Sequence, residues 1–290
     1  MNITTFKTLV LRETWENKSL TLAPLVISAV MIFSLIVGLI SGQMFISGEG
    51  LDDVIKMEMP DVEGFEGKKI ALVIQAMMGG PLLIGMLFVL FFYSLGSLYN
   101  DRQDRSILFW KSMPVSDLQT VMSKVFTAMV VAPLITALVA LATQLLSLIL
   151  FTPVIWMNGG SAWSILWAES SLLTVMFNDI AIALMVGLWM APVLGWLWFV
   201  SAIAKRSAFL IAVFAPLGIM LVEGMILRSA HFAKLIGQHF SQIEYIVQGT
   251  IESGHPFTLM QSSGFWIGLV VAAMFIGLAV YIRRFRDDSY

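Results

Sequence analysis

Residues 125–151 read VFTAMVVAPLITALVALATQLLSLILF, a stretch without a single charged residue. A helix needs about 20 apolar residues to cross the hydrocarbon core of a bilayer, and this stretch exceeds that length. Its apolar residues do not alternate with polar ones, as they would in a strand of a membrane barrel. The stretch therefore predicts a membrane-spanning helix.

The same pattern recurs along the chain. The hydrophobic fraction is 58% and the charged fraction 12%, whereas about a quarter of the residues are charged in an average soluble domain. The sequence predicts an all-α integral membrane protein, with residues 1–290 forming one transmembrane domain of six helices. Five prolines inside the runs are sites where these helices can kink: Pro24, Pro81, Pro133, Pro192 and Pro216. The five further runs cover residues 22–46, 70–98, 172–203, 208–227 and 264–282.

The distribution of basic residues predicts the orientation of the spans. Positively charged loops stay on the cytoplasmic side of a membrane. Most of the 17 lysine and arginine residues fall on one side of the predicted spans, so both termini are expected to be cytoplasmic. The first run is too long for a cleavable signal and predicts an uncleaved signal anchor. The residues on the basic side are Lys7, Arg12, Lys18, Arg102, Arg105, Lys111, Lys124, Lys205, Arg206, Arg283, Arg284 and Arg286.

Residues 1–20 have the spacing of an amphipathic helix. Ile3, Phe6, Leu9 and Val10 share one helical face, with Leu20 near it. This predicts a helix in the cytoplasmic membrane interface. A frayed tail is the alternative.

The largest cytoplasmic loop, residues 99–124, predicts two helices. Pro114 disfavours a helical Met113, so a first helix over 104–112 should end there. Ser116 and Gln119 have capping-box spacing, so a second helix should begin at Ser116 and continue into the third span. The apolar side of the first helix needs a cover of lipid headgroups or of another protein. That side is expected to present Ile107, Leu108 and either Trp110 or Lys111.

This loop resembles that of the permeases of ABC-2-type exporters. The resemblance rests on Arg105-Ser106-Ile107-Leu108, on Met113-Pro114-Val115-Ser116 and on Lys124 at the entry to the third span. Six spans, cytoplasmic termini and an N-terminal elbow helix are also similar to the family, so the resemblance covers the whole chain. It implies a bacterial cytoplasmic membrane and the export of a lipid, a peptide or an amphipathic drug-like molecule.

The resemblance further implies that residues 104–112 form a coupling helix that docks on a separate ATPase subunit. Two ATPase copies would bind ATP and magnesium, and a second permease, identical or related, would complete the assembly. This chain holds no phosphate-binding motif of its own, since Gly67-Lys68-Lys69 lacks the preceding glycine and the following hydroxyl. No catalytic residue, cofactor or metal site is therefore expected in it. The implied interface residues are Asp104, Arg105, Ser106, Ile107, Leu108, Trp110, Lys111, Pro114, Val115 and Ser116.

Two acidic residues fall inside predicted spans, Asp179 in the fourth and Glu223 in the fifth. A carboxylate in hydrocarbon is costly, which makes both candidates for a substrate path or for cation binding. In the alternative, Asn178 and Asp179 cap a helix end, and Glu223 pairs with Arg228 or a serine.

The outer segment 228–263 holds a second amphipathic pattern. Phe232, Leu235 and Ile236 recur at helical spacing, but interrupting polar residues prevent a span. The resemblance implies re-entrant or interfacial helices near the exit of the path, and an amphipathic helix resting on the bilayer is the alternative. His231 and His239 lie eight residues apart, a poor spacing for a two-histidine metal clamp.

Other classes of function remain to be compared with the exporter. An intramembrane hydrolase should show a motif such as His-Glu-x-x-His or Gly-x-Ser-x-Gly, and the sequence contains neither. A net charge of −2 gives no basic field for nucleic acid. A membrane assembly or signalling protein that offers its loop to a partner without moving a solute stays open.

Overall fold

Helices make up almost all of the residues that the structure describes. The computed structural model describes residues 3–41, 67–107, 112–157, 161–167, 172–243 and 257–285, with the backbone alone for 67–76, and no strand occurs in these ranges. Short π-helical turns cover Thr127–Val131, Trp163–Trp167 and Glu223–Leu227, and a 3₁₀ turn covers Thr258–Gln261. The α-helices are α1 (Ile3–Glu16), α2 (Ser19–Ser41), α3 (Gly67–Gln103), α4 (Asp117–Phe126), α5 (Ala132–Met157), α6 (Leu172–Trp189), α7 (Ala191–Ile203), α8 (Ala208–Val222), α9 (His231–Ser241) and α10 (Ser263–Phe285).

Long apolar helices confirm the prediction of an all-helical fold with several spans. The described residues contain five helical segments long and apolar enough to cross a membrane, or six if the bent pair α6 and α7 counts as one more span. Helices α3 and α10 extend beyond their apolar runs at both ends, because backbone hydrogen bonding continues through the polar residues that flank these runs. The five segments are Ser19–Ser41, Met77–Gln103, Asp117–Met157, Ala208–Leu227 and Ser263–Phe285.

Proline separates α6 from α7. The two helices meet at Met190 with a bend of 52°. Pro192 lies in the first turn of α7, where its missing N–H costs nothing and its ring prevents the preceding helix from continuing. The kink predicted at Pro192 is therefore confirmed. Pro24, Pro81 and Pro216, in contrast, lie inside unbroken α2, α3 and α8.

The chain divides into two compact units. Unit 1 comprises Met1–Leu20, Leu87–Pro133 and Leu184–Tyr290, and unit 2 comprises Thr21–Met86 and Leu134–Ala183. Segments distant in the sequence thus build each unit, as expected where spans pack side by side.

In unit 1, α7 and α10 form an extensive helix pair. A Cβ atom at Gly195 of α7 would lie 3.1 Å from the backbone of Ala272 in α10, and one at Gly268 would lie 3.5 Å from the ring of Pro192. Small residues let two helix backbones approach this closely, and such contacts drive helix association in membranes. The glycine at position 195 therefore brings α10 against α7.

Unit 2 has a separate apolar core. Leu35, Leu148, Phe151 and Leu166 pack together. A hydrogen bond of 2.6 Å between the hydroxyls of Ser28 and Thr143 joins α2 to α5. Interhelical hydrogen bonds of this kind hold helices together where no water competes.

A helix is present within residues 1–20, namely α1, while its place in the membrane interface stays a prediction. Of its predicted apolar face, Leu9 is buried within the protein and Ile3 is exposed. Glu13 is buried on the face that packs against α4. The buried face of α1 therefore includes a charged residue that the apolar pattern did not predict.

The contact at Gly195 yields the first prediction. Replacement by leucine should separate α7 from α10 and lower the stability by about 1–3 kcal/mol, the usual cost of overpacking. Gly218→Leu is the matched control, because nothing lies within 4 Å of a Cβ built at Gly218. Thermal unfolding in detergent should show a clear loss for Gly195→Leu alone, and equal melting of the two variants would contradict the packing.

Candidate functional site

The predicted coupling segment lies between the end of α3 and the start of α4, and we call residues 104–116 the 104–116 loop. Helix α3 ends at Gln103, and Arg105 adopts a left-handed backbone with φ of 55°. A non-glycine residue rarely adopts this conformation, which here interrupts the helical backbone between Gln103 and Ser106. Ser106 and Ile107 are helical again. Leu108, Trp110 and Lys111 lie outside the described residues.

The second helix of the loop starts as predicted. Ser116 is the N-cap of α4: its Oγ accepts from the Gln119 N–H at 3.2 Å, and Gln119 Oε1 accepts from the Ser116 N–H at 3.3 Å. This reciprocal pair satisfies two backbone donors that would otherwise lack partners. Met113 and Pro114 are not helical. The start of α4 is thereby fixed by local sequence.

The candidate interface residues differ in exposure. Asp104, Arg105, Pro114 and Ser116 are exposed. Ile107, expected on the outward apolar side, is only 3% exposed and is covered by the chain itself. The expected presentation of Ile107 is therefore not observed, because other parts of the chain bury its side chain.

Beneath the loop lies a buried ion network. Glu13 of α1 is 1% exposed, and its Oε1 lies 3.0 Å from Lys124 Nζ of α4 and 2.8 Å from Arg12 Nη2. The Tyr93 hydroxyl of α3 donates to Glu13 Oε2 at 3.1 Å. Both oxygens of this carboxylate are therefore engaged by groups from three helices.

Asp101, near the end of α3, continues the network. Its Oδ1 lies 3.5 Å from Lys124 Nζ and its Oδ2 lies 3.0 Å from Arg283 Nη1. The same guanidinium reaches Asp117 Oδ1 through its Nε at 3.2 Å. Arg283 of α10 thus contacts two carboxylates at once, one on each side of the 104–116 loop.

The network balances its charges. Removing a charge from water costs several kcal/mol, and only a close opposite charge with further hydrogen bonds compensates for it. Each buried charge here has such a neighbour, so acids and bases alternate from α1 to α10. The members are Arg12, Glu13, Lys124, Asp101, Arg283 and Asp117, and we call this set the ion network.

The end of α3 is also tied to the end of α7. Arg102 donates to the carbonyls of Ser201 and Ala204, and the Tyr99 hydroxyl donates to the carbonyl of Arg206. Cationic side chains at helix C-termini satisfy carbonyls that have no partner within the helix. The 104–116 loop therefore leaves from a segment that is fixed on two sides.

Sequence reasoning found only part of this site. Lys124 was singled out by the resemblance, whereas Glu13, Asp101, Asp117 and Arg283 were not. A signal was present, since acidic and basic residues accompany one another at the ends of the predicted spans. Which of them pair depends on how helices far apart in sequence pack together.

Asp179 lies inside α6, so the expectation that it caps a helix end is wrong; the helix begins earlier, at Leu172. Its Oδ1 accepts from Gln144 Nε2 of α5 at 3.2 Å, and both residues belong to unit 2. The Gln144 side chain is buried. A carboxyl group with an amide partner therefore lies among apolar helices, and its place on a substrate path stays a prediction.

Glu223 has a structural partner set. Its Oε1 accepts from Ser229 Oγ at 2.7 Å and from the His231 N–H at 2.6 Å, and its Oε2 accepts from the Phe232 N–H at 2.9 Å. The alternative that Glu223 pairs with a serine is confirmed. The carboxylate accepts hydrogen bonds from the first two amides of α9. Its negative charge is also stabilised there by the positive end of the helix dipole.

Helix α9 contacts α8, α10 and Trp189, the last residue of α6, within unit 1. The His239 ring stacks on Trp189 with centroids 5.5 Å apart, and Trp189 Nε1 donates to the His239 carbonyl at 3.0 Å. Burial lowers the pKa of His239, and a hydrogen bond with the Trp189 backbone offsets part of the shift. The ring is therefore neutral at pH 7. No group of three potential metal ligands occurs among the described residues.

Comparisons of the chain with protein-family models, with characterised proteins and with solved structures find no match.

The ion network yields a stability prediction. Lys124→Met should lower the free energy of unfolding by roughly 3 kcal/mol, because it leaves buried carboxylates without one of their cations. This is the low end of the range for a broken buried pair, since Glu13 still contacts Arg12 and Asp101 still contacts Arg283. Lys234→Met, at an exposed position of α9, is the control. Equilibrium unfolding in mixed micelles measures the difference. The double variant Lys124→Met/Glu13→Gln restores the charge balance and should recover part of the loss; a single variant as stable as the control would argue against the network.

The carboxylate of Glu223 yields a local prediction. Glu223→Ala removes the acceptors of the His231 and Phe232 amides, so the first turn of α9 should fray. Hydrogen exchange followed by mass spectrometry should show severalfold faster exchange at the start of α9. Gln238→Ala, on an exposed face of the same helix, should leave that exchange unchanged. Equal exchange in the two variants would mean that other contacts hold the helix start.

Proposed function

We propose that the chain is the permease subunit of an ATP-driven exporter of the ABC-2 type. It would work with two copies of a separate ATPase subunit, which bind ATP and magnesium, and with a second permease. The 104–116 loop would be the docking segment for the ATPase. The substrate would be a lipid, a peptide or an amphipathic drug-like molecule moved outward across a bacterial cytoplasmic membrane.

The observation that carries the proposal is the anchoring of the 104–116 loop. An exposed loop that served only to join two spans would need no buried connection to other helices. Here its two ends are joined by Arg283, and its first end is held by Lys124 as well. A segment that receives force from a partner needs such a base, since a loosely attached loop would bend without moving the spans.

The elbow helix fits the same proposal. Helix α1 packs on α4 and donates Glu13 to the ion network. A helix held at the base of the loop would move with it. In the proposed exporter, α1 and the loop together would receive the motion of the ATPase on the predicted cytoplasmic side.

The two intramembrane acids contribute unequally to the proposal. The Glu223 carboxylate is engaged at both oxygens by the start of α9. Asp179 has one amide partner. Of the two candidate path residues, Asp179 is the one whose chemistry leaves more room for a substrate or a cation.

The proposal predicts a stable ATPase partner. Affinity purification of the tagged chain from native membranes in mild detergent, followed by mass spectrometry and an ATPase assay, should recover an ATP-binding subunit in stoichiometric amount. Trp110→Ala and Asp104→Arg should each weaken its recovery, because they alter the apolar and the charged parts of the docking segment. The six-span region should keep its melting temperature in both variants.

Trp156→Ala is the matched control, since Trp156 is an exposed tryptophan at the far end of α5 from the loop. It should leave recovery of the ATPase unchanged. Absence of any ATPase in several mild detergents would instead favour a membrane assembly or signalling protein that uses the same loop.

A further inference from the structure

One guanidinium joins the two ends of the 104–116 loop to the last span. Arg283 Nη1 lies 3.0 Å from Asp101 Oδ2, two residues before α3 ends, and its Nε lies 3.2 Å from Asp117 Oδ1, on the first residue of α4. The loop and the guanidinium together form a closed ring. Fixing the ends of a loop in this way removes conformations that the free segment would otherwise adopt.

Burial distinguishes this contact from a surface ion pair. The Arg283 side chain is 4% exposed. A surface pair contributes little to stability and is screened by salt, whereas charges removed from water depend on their partners. If Arg283 were lost, Asp101 would keep Lys124 as a neighbouring cation, whereas Asp117 would lose the cation that its carboxylate contacts.

The chemistry also requires arginine. Its planar guanidinium presents donors in a fixed fork, so different nitrogens can serve two carboxylates at the same time. A lysine at this position would keep the charge but offer a single ammonium. The neighbouring Arg284 is exposed and contacts the ring of Phe285. Of these two adjacent arginines, Arg283 is buried against carboxylates and Arg284 is exposed, so Arg284 serves as a control for Arg283.

Helix α10 extends this connection to α7 within unit 1. It packs backbone to backbone on α7 through Gly195 and Ala272. The end of α7 is in turn held by Arg102, beside the first end of the loop. The loop, α7 and α10 are thus joined at two separate points.

We infer that Arg283 is a positioning residue that fixes the 104–116 loop to the last span, so that movement of the loop moves α10. The coupling role of Arg283 rests on the proposed function, whereas its positioning of the loop does not. Loss of Arg283 should leave the docking residues in place but let the loop move independently of α10. A variant without Arg283 should therefore still bind the ATPase but transmit its motion to α10 less well.

The chain has no cysteine, so spin labels can be placed without background. Gln103→Cys and Leu118→Cys put labels at exposed positions on the two sides of the loop base. The distance distribution between the labels, measured by EPR in the isolated protein, should be narrow with Arg283 and broad in Arg283→Gln. Arg283→Lys should be broad as well, and Arg284→Gln should stay narrow. An unchanged distribution in Arg283→Gln would overturn the inference.

Arg283→Gln leaves two carboxylates without their shared cation and can unfold the chain. Asp117→Asn is therefore the second variant, because Asp117 is the most exposed of the three acidic network members and Arg283 keeps Asp101. It should broaden the distribution less than Arg283→Gln does while melting close to the unsubstituted chain. If this folded variant gives the same distribution as the Arg284→Gln control, the two-ended contact has no positioning role.

The second measurement uses the complex with the ATPase. Arg283→Gln should retain the subunit on purification but lower its permease-dependent ATPase activity by roughly 2- to 30-fold, the range of effect for residues that couple distant sites. Full activity in the variant complex would overturn the coupling role. If the unsubstituted chain recovers no ATPase, the proposed exporter fails, while the EPR result still decides whether Arg283 positions the loop.

Discussion

A carboxylate buried as completely as that of Glu13 needs a cation beside it, because its hydration in water is lost. Lys124 supplies that cation, and Lys124 in turn reaches Asp101, which reaches Arg283. The arrangement of α1, α3, α4 and α10 at this end of unit 1 follows from that alternation. With apolar packing alone, each helix could slide or turn at a small cost in free energy. A displaced ion pair would instead leave a charge in a medium that cannot solvate it.

Within unit 1, the apolar contacts set how closely the helices approach, and the ion network sets their register. Small residues at Gly195 and Ala272 set how closely α7 and α10 approach, through dispersion contacts that favour any well-fitted register. The guanidinium of Arg283 selects one register, because two carboxylates must meet its fork at once. Unit 2 also combines an apolar core with polar contacts between helices, but these are hydrogen bonds and not ion pairs. They join Ser28 to Thr143 and Gln144 to Asp179.

Much of the fold is predictable from the sequence, since a long uncharged run can satisfy its backbone in a bilayer only as a helix. The start of α4 is also predictable, because Ser116 and Gln119 cap it through contacts three residues apart. The break at Pro192 follows from a local property of proline. The ion network is not predictable in the same way. The partners of Arg283 are 166 and 182 residues away, and no local rule selects them among the other acids at the span ends. The burial of Ile107 is not predictable for a related reason, since it depends on how the rest of the chain packs over this residue.

The carboxylate of Glu223 ends one helix and begins another. It belongs to the π-helical turn Glu223–Leu227 that follows α8, the left-handed Arg228 reverses the chain, and the first amides of α9 return to the same two oxygens. The number of residues between the carboxylate and these amides is therefore set by geometry. Related chains should vary in the composition of this connection more readily than in its length, because an inserted or deleted residue would move the first amides of α9 away from the two carboxylate oxygens that they reach.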